Sequence, residues 1–400
     1  MSTIDGLLGT AFEGSAPDLW LVNPAGVVFG PNATLDVQGG FHVSTADYLR
    51  LGEGGYFAAD LGGGSVLTSA SPEAFGFLGA TPGALGVAGS ALAVGDGRDL
   101  WLVGGEISIG GGQLVVPGGQ LSMAAVGSAG EVVPGDGALE TVGFAGLENI
   151  SVSDSILDVS ADGAGTMAIR GEAMTVERSE VFANTTDRDG GGIDIRVEEL
   201  AVRDNTLVSV ATLGAGTGGS VLVDADYFEL RDGAAILALA LGEGDGGSLF
   251  FQVGSLLLSG DGAQGITGII TGTNLEVDGG RGADMTVTAD QLEIRAGAAI
   301  GTNTIGSGDG GSLSVSAGEM LLSGDGAASF TGLAAQTQAE SGGGRGGDMT
   351  VTADRLQIRD GAAISTNTIG SGDAGSLSLA AGEMFLSGDG SALFTGVGAQ

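Results

Sequence analysis

Self-similarity at a fixed spacing constrains this chain more than any other feature. Residues 284–326, DMTVTADQLEIRAGAAIGTNTIGSGDGGSLSVSAGEMLLSGDG, recur at 348–390 as DMTVTADRLQIRDGAAISTNTIGSGDAGSLSLAAGEMFLSGDG, 64 residues on, with 35 identities in 43 positions. A more diverged copy stands a further 64 residues upstream, in ADYFELRDGAAI (225–236) and GDGGSL (244–249). Each unit divides again. Met285, Val287, Leu292 and Ile294 align with Leu313, Val315, Met320 and Leu322 at an offset of 28, and Leu313 aligns with Met349 at 36. Ile193 to Val221 repeats the 28, and Ile169 to Ile195 gives 26. The basic element is therefore a coil of 26 to 36 residues, a period that marks repeat architectures.

Within a coil, runs such as GGSLSVSA, LEIR and GAAISTNT alternate apolar and polar residues and are separated by Gly or Asp-Gly. That is the pattern of short strands joined by turns. A single coil has one apolar face and nothing to bury it against, so coils must stack, with Leu over Val over Met in interior ladders. Each strand then pairs with its counterpart one coil away, and short turns replace the helical crossovers that parallel strands otherwise need. The expected fold is all-β, a right-handed parallel β-helix with three short strands per coil. Its 64-residue units fall at 220–283, 284–347 and, incomplete, 348–400. The longer coils are expected to carry extra loop, such as GLAAQTQAESGGGRGG at 332–347, on every second turn.

Composition narrows the function. Glycine supplies 81 of 400 residues, without a third-residue period and with only seven prolines, which excludes both collagen and an ordinary helical enzyme. An apolar fraction of 42% is ample for a large core. The 13 basic residues, all arginine, face 49 acidic ones, and a net charge of −36 repels phosphate backbones and anionic headgroups. Nucleic acid is therefore not an expected partner. With no cysteine there is no disulfide framework and no thiolate metal site, and neither a cofactor nor a metal is expected. The uncharged stretch 74–95 holds six glycines and Pro82, and reads as short strands and turns rather than a spanning helix. The chain opens without a basic or continuous apolar leader segment.

Catalytic material is scarce. The sole histidine, His42, has no base or nucleophile at triad spacing and reads as a surface strand residue, so no enzyme activity and no catalytic residue are expected. The alternative, a β-helix carbohydrate-active enzyme, rests only on dispersed carboxylates such as Asp187, Asp189 and Asp194. GSGDGG at 306–311, with relatives at 242–247 and 370–375, stands at 64-residue intervals rather than in tandem. It reads as turn chemistry, not as a calcium roll.

One segment carries a family resemblance. NPAGVVFGPNATLDVQGGFHVSTAD, residues 23–47, resembles the secretion-domain signature of the two-partner-secretion exoproteins, the filamentous haemagglutinin family. Asn23, Pro24, Gly26, Phe29, Gly30, Ala33, Asp36, Val37, Gly39, Gly40, Ser44 and Thr45 fit that signature, while Ala25 and Val27 replace its usual Asn and Ile. LWLVGGEISIGGGQLVVPGGQLSMAAVGSAGEVV (100–133) is similar to the later part of such a domain, and the stretch 190–225 to the Gly-rich coils that follow it.

The resemblance implies a secretion domain over 1–146, shortened at its amino end, and a β-helical repeat region over 147–400. It implies a non-enzymatic exoprotein of adhesin type, secreted or held at the surface of a Gram-negative bacterium. The implied partner is an outer-membrane β-barrel transporter that recognises the amino-terminal domain and threads the unfolded chain outward, with folding outside drawing export forward without ATP. The ligand would be a host surface, a neighbouring cell or a glycan. Only 22 residues precede Asn23, no signal peptide is present, and the third repeat stops at Gln400. A fragment or a misplaced start is therefore expected, and an unexported fragment is the remaining alternative.

Overall fold

The computed structural model describes residues 1–60, 62–135, 137–261, 265–275, 279–339, 343–370, 372–388 and 394–399. Among these the one helical element is a single 3-10 turn, Gly52–Gly54. The chain forms two compact units. One comprises Met1–Ser160, Gly165–Glu180 and Asp194–Glu199; the other comprises Ala161–Ala164, Val181–Ile193 and Leu200–Gln400.

The amino-terminal unit is built from three parallel ladders. The first stacks Ser2–Ile4, Val27–Phe29, Leu85–Ala88, Ile107–Gly110, Ile150–Ser153 and Ala173–Glu177. The second stacks Leu7–Gly9, Thr34–Asp36, Ala91–Ala93, Gln113–Val115 and Ile156–Asp158. The third stacks Leu19–Val22, Phe41–Ser44, Leu100–Gly104, Gln120–Ala125 and Thr166–Arg170. Strand residues alternate in and out, so register brings like positions together inside. Val27, Leu85, Ile107, Ile150 and Met174 form one column, and Leu92, Leu114 and Leu157 another, all buried. Each such side chain contributes about 1.5–3 kcal/mol by leaving water. These stacked parallel ladders are the expected β-helix, with three strands per coil.

A second layer was not expected. An antiparallel sheet runs in the order Leu139–Val142, Gly130–Pro134, Pro72–Phe77, Tyr48–Leu51, Gly55–Ala58. Its Leu49, Phe75, Phe77, Val132 and Leu139 pack on Val103 and Ala124, with Trp20, Val22 and Trp101 against the same cluster. The cause lies in the third ladder. LWLV at 19–22 and LWLVG at 100–104 are apolar on both faces, and a strand of that kind needs cover on its outer side as well.

The carboxy-terminal unit has two ladders. The longer strands are Ser220–Arg231, Ser248–Ser259, Asp284–Arg295, Leu313–Ser323, Met349–Arg359 and Leu377–Ser387. The shorter ones include Ala235–Ala240, Gly268–Leu275, Ala299–Gly306, Thr331–Ala339 and Ala362–Gly370. The register bears out the alternating spacing, since Val221 pairs with Leu249, Leu249 with Met285, Met285 with Leu313 and Leu313 with Met349.

Two expectations change here. Two of the three strands per coil are one continuous strand: Val221, Val223 and Ala225 point inward, the alternation slips at Asp226–Tyr227, and Phe228 and Leu230 resume it. The ladder bends at this corner without breaking. The extra residues of alternate coils also lie elsewhere than expected. Much of 332–347 is strand, Thr331–Ala339, and 340–342 lie outside the described residues. Much of the excess sits between the longer and shorter strands, at 324–330 and, one pair of coils earlier, around 262–264, which lie outside the described residues.

In the other coils the same connection is tight. Asp232-Gly233, Ala296-Gly297 and Asp360-Gly361 each take positive φ at both residues, which glycine accepts at no steric cost. The next coil caps each turn: the Gly233, Gly297 and Gly361 N–H groups donate to the Thr267, Thr331 and Thr395 hydroxyls at 2.9, 2.8 and 2.8 Å.

Candidate functional site

The segment 23–45 runs from the first ladder through the second to the third, and its residues fall into three groups by what they touch. Asn23 opens a turn in which the Gly26 N–H donates to the Asn23 carbonyl at 3.0 Å, and Gly26 has φ +99°. The Asn23 side chain accepts from the Ala25 N–H at 3.0 Å and donates to the Ser2 hydroxyl at 2.7 Å and the Gly26 carbonyl at 3.1 Å. Ala25 is exposed and contributes only its N–H, so the amide that orders this turn belongs to Asn23. The next coil closes over it: a Cβ on Gly83 would lie 2.5 Å from the Pro24 carbonyl oxygen.

The middle group fixes the amino terminus. A Cβ on Gly30 would meet the Asp5 carboxylate at 2.7 Å, and that carboxylate accepts from the Asn32 backbone at 2.9 Å and side chain at 3.1 Å. The Asn32 backbone bond holds the Asp5 carboxyl below its usual range. Phe29 and Ala33 are buried, with the Phe29 ring edge-on to Phe41 at 5.9 Å, whereas Asp36 is exposed and contributes its carbonyl to the Thr10 N–H.

The last group joins the third ladder. Gly40 donates its N–H to Asp18 at 2.7 Å, and Gly39 passes so close to Pro17 that a Cβ would lie 2.5 Å from its carbonyl oxygen. Ser44 accepts from the Ala46 N–H at 3.0 Å, and the Thr45 hydroxyl donates to the Gly83 carbonyl at 2.7 Å. Pro24 and Thr45 therefore converge on one turn of the following coil, around Gly83.

His42 is a correction. It is not a surface residue: it is 3% exposed, between Trp20 and Trp101 at centroid separations of 4.2 Å on each side. The three residues stand in register on adjacent strands, under Phe75 of the antiparallel sheet. Burial lowers the His42 pKa to about 4, against the opposing pull of Asp18, whose carboxylate stands 4.0 Å from Nε2. At neutral pH the ring is an uncharged spacer in an aromatic stack, and the paired tryptophans at 20 and 101 were the sequence signal for it.

The carboxylates of Asp187, Asp189 and Asp194 and of the GDGG turns are held by the framework. Asp187 and Asp189 accept from the Ala215 and Thr217 N–H groups at 3.3 and 2.9 Å. Asp194 pairs with Arg170 at 2.8 Å and Arg196 at 3.1 Å. In the GDGG turns, Asp245 and Asp309 accept from the Arg281 and Arg345 N–H groups at 2.7 and 2.8 Å, which is turn chemistry. Among the described residues no group of three His, Cys, Asp or Glu side chains could hold a metal ion, and no helix is long and apolar enough to cross a membrane.

The amino-terminal unit is thus a β-helix with an Asn-Pro-x-Gly turn in its first coils and an outer antiparallel sheet. Residues 1–179 match the family model described as the TPS secretion domain, so the chain carries the secretion domain of two-partner-secretion exoproteins, a secreted class and not an enzyme family. No curated protein and no solved structure matches the chain.

Proposed function

We propose that an outer-membrane β-barrel transporter recognises the amino-terminal unit, threads the chain outward unfolded, and that the β-helix then works outside a Gram-negative cell as a non-enzymatic exoprotein of adhesin type, akin to the filamentous haemagglutinins. The observation that carries the reading is the convergence of the signature on the coil boundaries. Pro24, Gly26 and Thr45 meet the turn at Gly83, while Asn23 ties their own turn to Ser2 and Gly30 and Gly39 admit the chain that precedes them. The signature residues thus complete the first coils, the surface a transporter would meet first. Stacking of later coils on that start supplies burial that draws the chain forward.

The test is export from cells that carry the chain behind a signal peptide, with and without its transporter, followed by mass spectrometry of medium, outer membrane and periplasm. The expected result is transporter-dependent peptides in the medium, and export reduced by Asn23→Ala. Equal amounts in the medium without the transporter would overturn the reading.

A further inference from the structure

In two of the longer coils the extra residues end on a phenylalanine. Phe330 stands just before the strand Thr331–Ala339, and Phe394, 64 residues on, shortly before Gly396–Ala399. The Phe394 ring lies on the outer side of its own strand, where a Cβ on Gly396 or Gly398 would come within 3.2 or 3.6 Å of it. Between these two strands runs Ala362–Gly370, in register with both. Ala363 pairs with Gly332 and Gly396, and Ser365 with Ala334 and Gly398. The two phenylalanines therefore belong to rungs about 9.6 Å apart, twice the strand spacing. Between them is a cavity of about 290 Å³, floored by Ala363 and Ser365 and reaching Asn367.

The floor carries one unpaired polar group. Ile364 and Thr366 point into the core, so Ser365 faces outward, onto the cavity. Ser365 is nonetheless only 7% exposed, and its hydroxyl has no hydrogen-bond partner among the described residues. Buried hydroxyls are as a rule paired, so one left unpaired beside a cavity marks a place for the polar group of a ligand. In the preceding interval of the repeat, Ile266 and Gly301 stand where Phe330 and Ser365 do, so that interval has one ring and no hydroxyl.

The lining selects the ligand. Among the described residues no charged side chain lines the cavity. An anion is repelled by a molecule of charge −36, and a cation would find two rings but no carboxylate to replace its water. A sugar carries a hydroxyl on nearly every carbon and would leave most of them unpaired against two rings and a floor of Ala363 and Gly398. A flat apolar ring suits the space between two phenylalanines. One hydroxyl on that ring can accept from Ser365 and donate to the Asn367 amide oxygen.

We propose that this cavity binds a neutral phenol, its ring between Phe330 and Phe394 and its hydroxyl on Ser365 and Asn367. The site lies within the carboxy-terminal unit and its test needs neither export nor adhesion, so failure of either reading leaves the other standing. The test is calorimetry and saturation-transfer NMR on the purified full chain. The probes are 4-methylphenol, N-acetyltyrosinamide, toluene, which lacks the hydroxyl, and phenyltrimethylammonium, which carries a charge instead. The expected result is that one or both phenols bind more tightly than toluene and the cation, and the ratio between the phenols tells a free compound from a tyrosine side chain. Phe330→Ala should weaken binding about tenfold, the loss of one aromatic contact. Ser365→Ala should weaken the phenol about fivefold and leave toluene unchanged. Ala363→Phe, which puts a ring into the cavity from an outward position, should abolish binding while the circular dichroism spectrum stays that of the parent. No binding of either phenol, toluene or the cation binding as tightly, or phenol binding unchanged in Ser365→Ala and Ala363→Phe would overturn the proposal.

Discussion

The stacked histidine makes the amino-terminal unit sensitive to acid in a window where few other groups titrate. His42 has a folded pKa of about 4 against an ordinary 6.5, so the native state binds fewer protons than the unfolded chain as the pH falls. Its contribution is therefore fully present above pH 6.5 and is lost as the pH drops through 4. The difference is worth about 3 kcal/mol in full, of which about 2 kcal/mol is lost between pH 7 and pH 5. Burial raises the Asp99 carboxyl at this end of the stack above its usual value, so its proton uptake acts in the opposite sense to that of His42 and persists when His42 is replaced. The assay is urea unfolding read by tryptophan fluorescence, because the only two tryptophans of the chain are the ones that clasp His42. His42→Phe keeps an aromatic ring between the indoles and should flatten the dependence between pH 7 and pH 5. A wild-type unfolding free energy that stays constant over that range, or an equal slope in the variant, would refute the reasoning.

Other outcomes follow from single contacts. Gly76 lies under the Tyr48 ring, where a Cβ has no room, so Gly76→Ala should cost about 1–3 kcal/mol in thermal or denaturant unfolding. Thr267→Val removes the acceptor of the Gly233 N–H and should cost about 1 kcal/mol, with faster hydrogen exchange at Gly233 and no change at Gly297, which Thr331 serves. Asn23→Ala should cost about 1–2 kcal/mol, and Asn23→Asp should recover part of it by keeping the acceptor for Ala25. Asp284, held by Arg281, and Asp348, held first by the Ser376 backbone N–H, have pKa values lowered to about 2. Their support is present above the ordinary carboxylate pKa and lost as the pH falls toward 2, which carbon-13 titration of the two carboxyls should show.

The repeat made the carboxy-terminal unit legible because periodic burial leaves a periodic sequence. Offsets of 28 and 36 read from Met285, Leu313 and Met349 are the register of the ladders. The corner was harder to see. Asp226–Tyr227 bends the strand through a slip in alternation, with no glycine in that strand to mark a break. The antiparallel sheet was missed because its strands do not repeat, and their partners lie far apart in sequence, as with Gly130 and Phe77. His42 misled for a related reason. Polar type suggested solvent, whereas the residues that bury it, Trp20 and Trp101, are its neighbours only through register. The signature at 23–45 was visible as a motif, but its contacts with Asp5 and Gly83 depend on coils that the motif does not contain.

The corner of the carboxy-terminal unit also governs how such a chain can lengthen. Asp226, Asp290 and Asp354 alternate there with Gly254, Gly318 and Gly382, and a Cβ at those three glycines would lie 2.6, 2.9 and 2.7 Å from the carbonyl oxygen of the aspartate one rung below. Tight turns and their threonine caps alternate in the same rhythm. Loss of a glycine coil, or duplication of an aspartate coil, would seat a side chain where a glycine hydrogen now lies and leave a tight turn without its threonine cap. The unit of inheritance in this array is therefore the pair of coils, and its descendants are expected to differ in length by even numbers of coils.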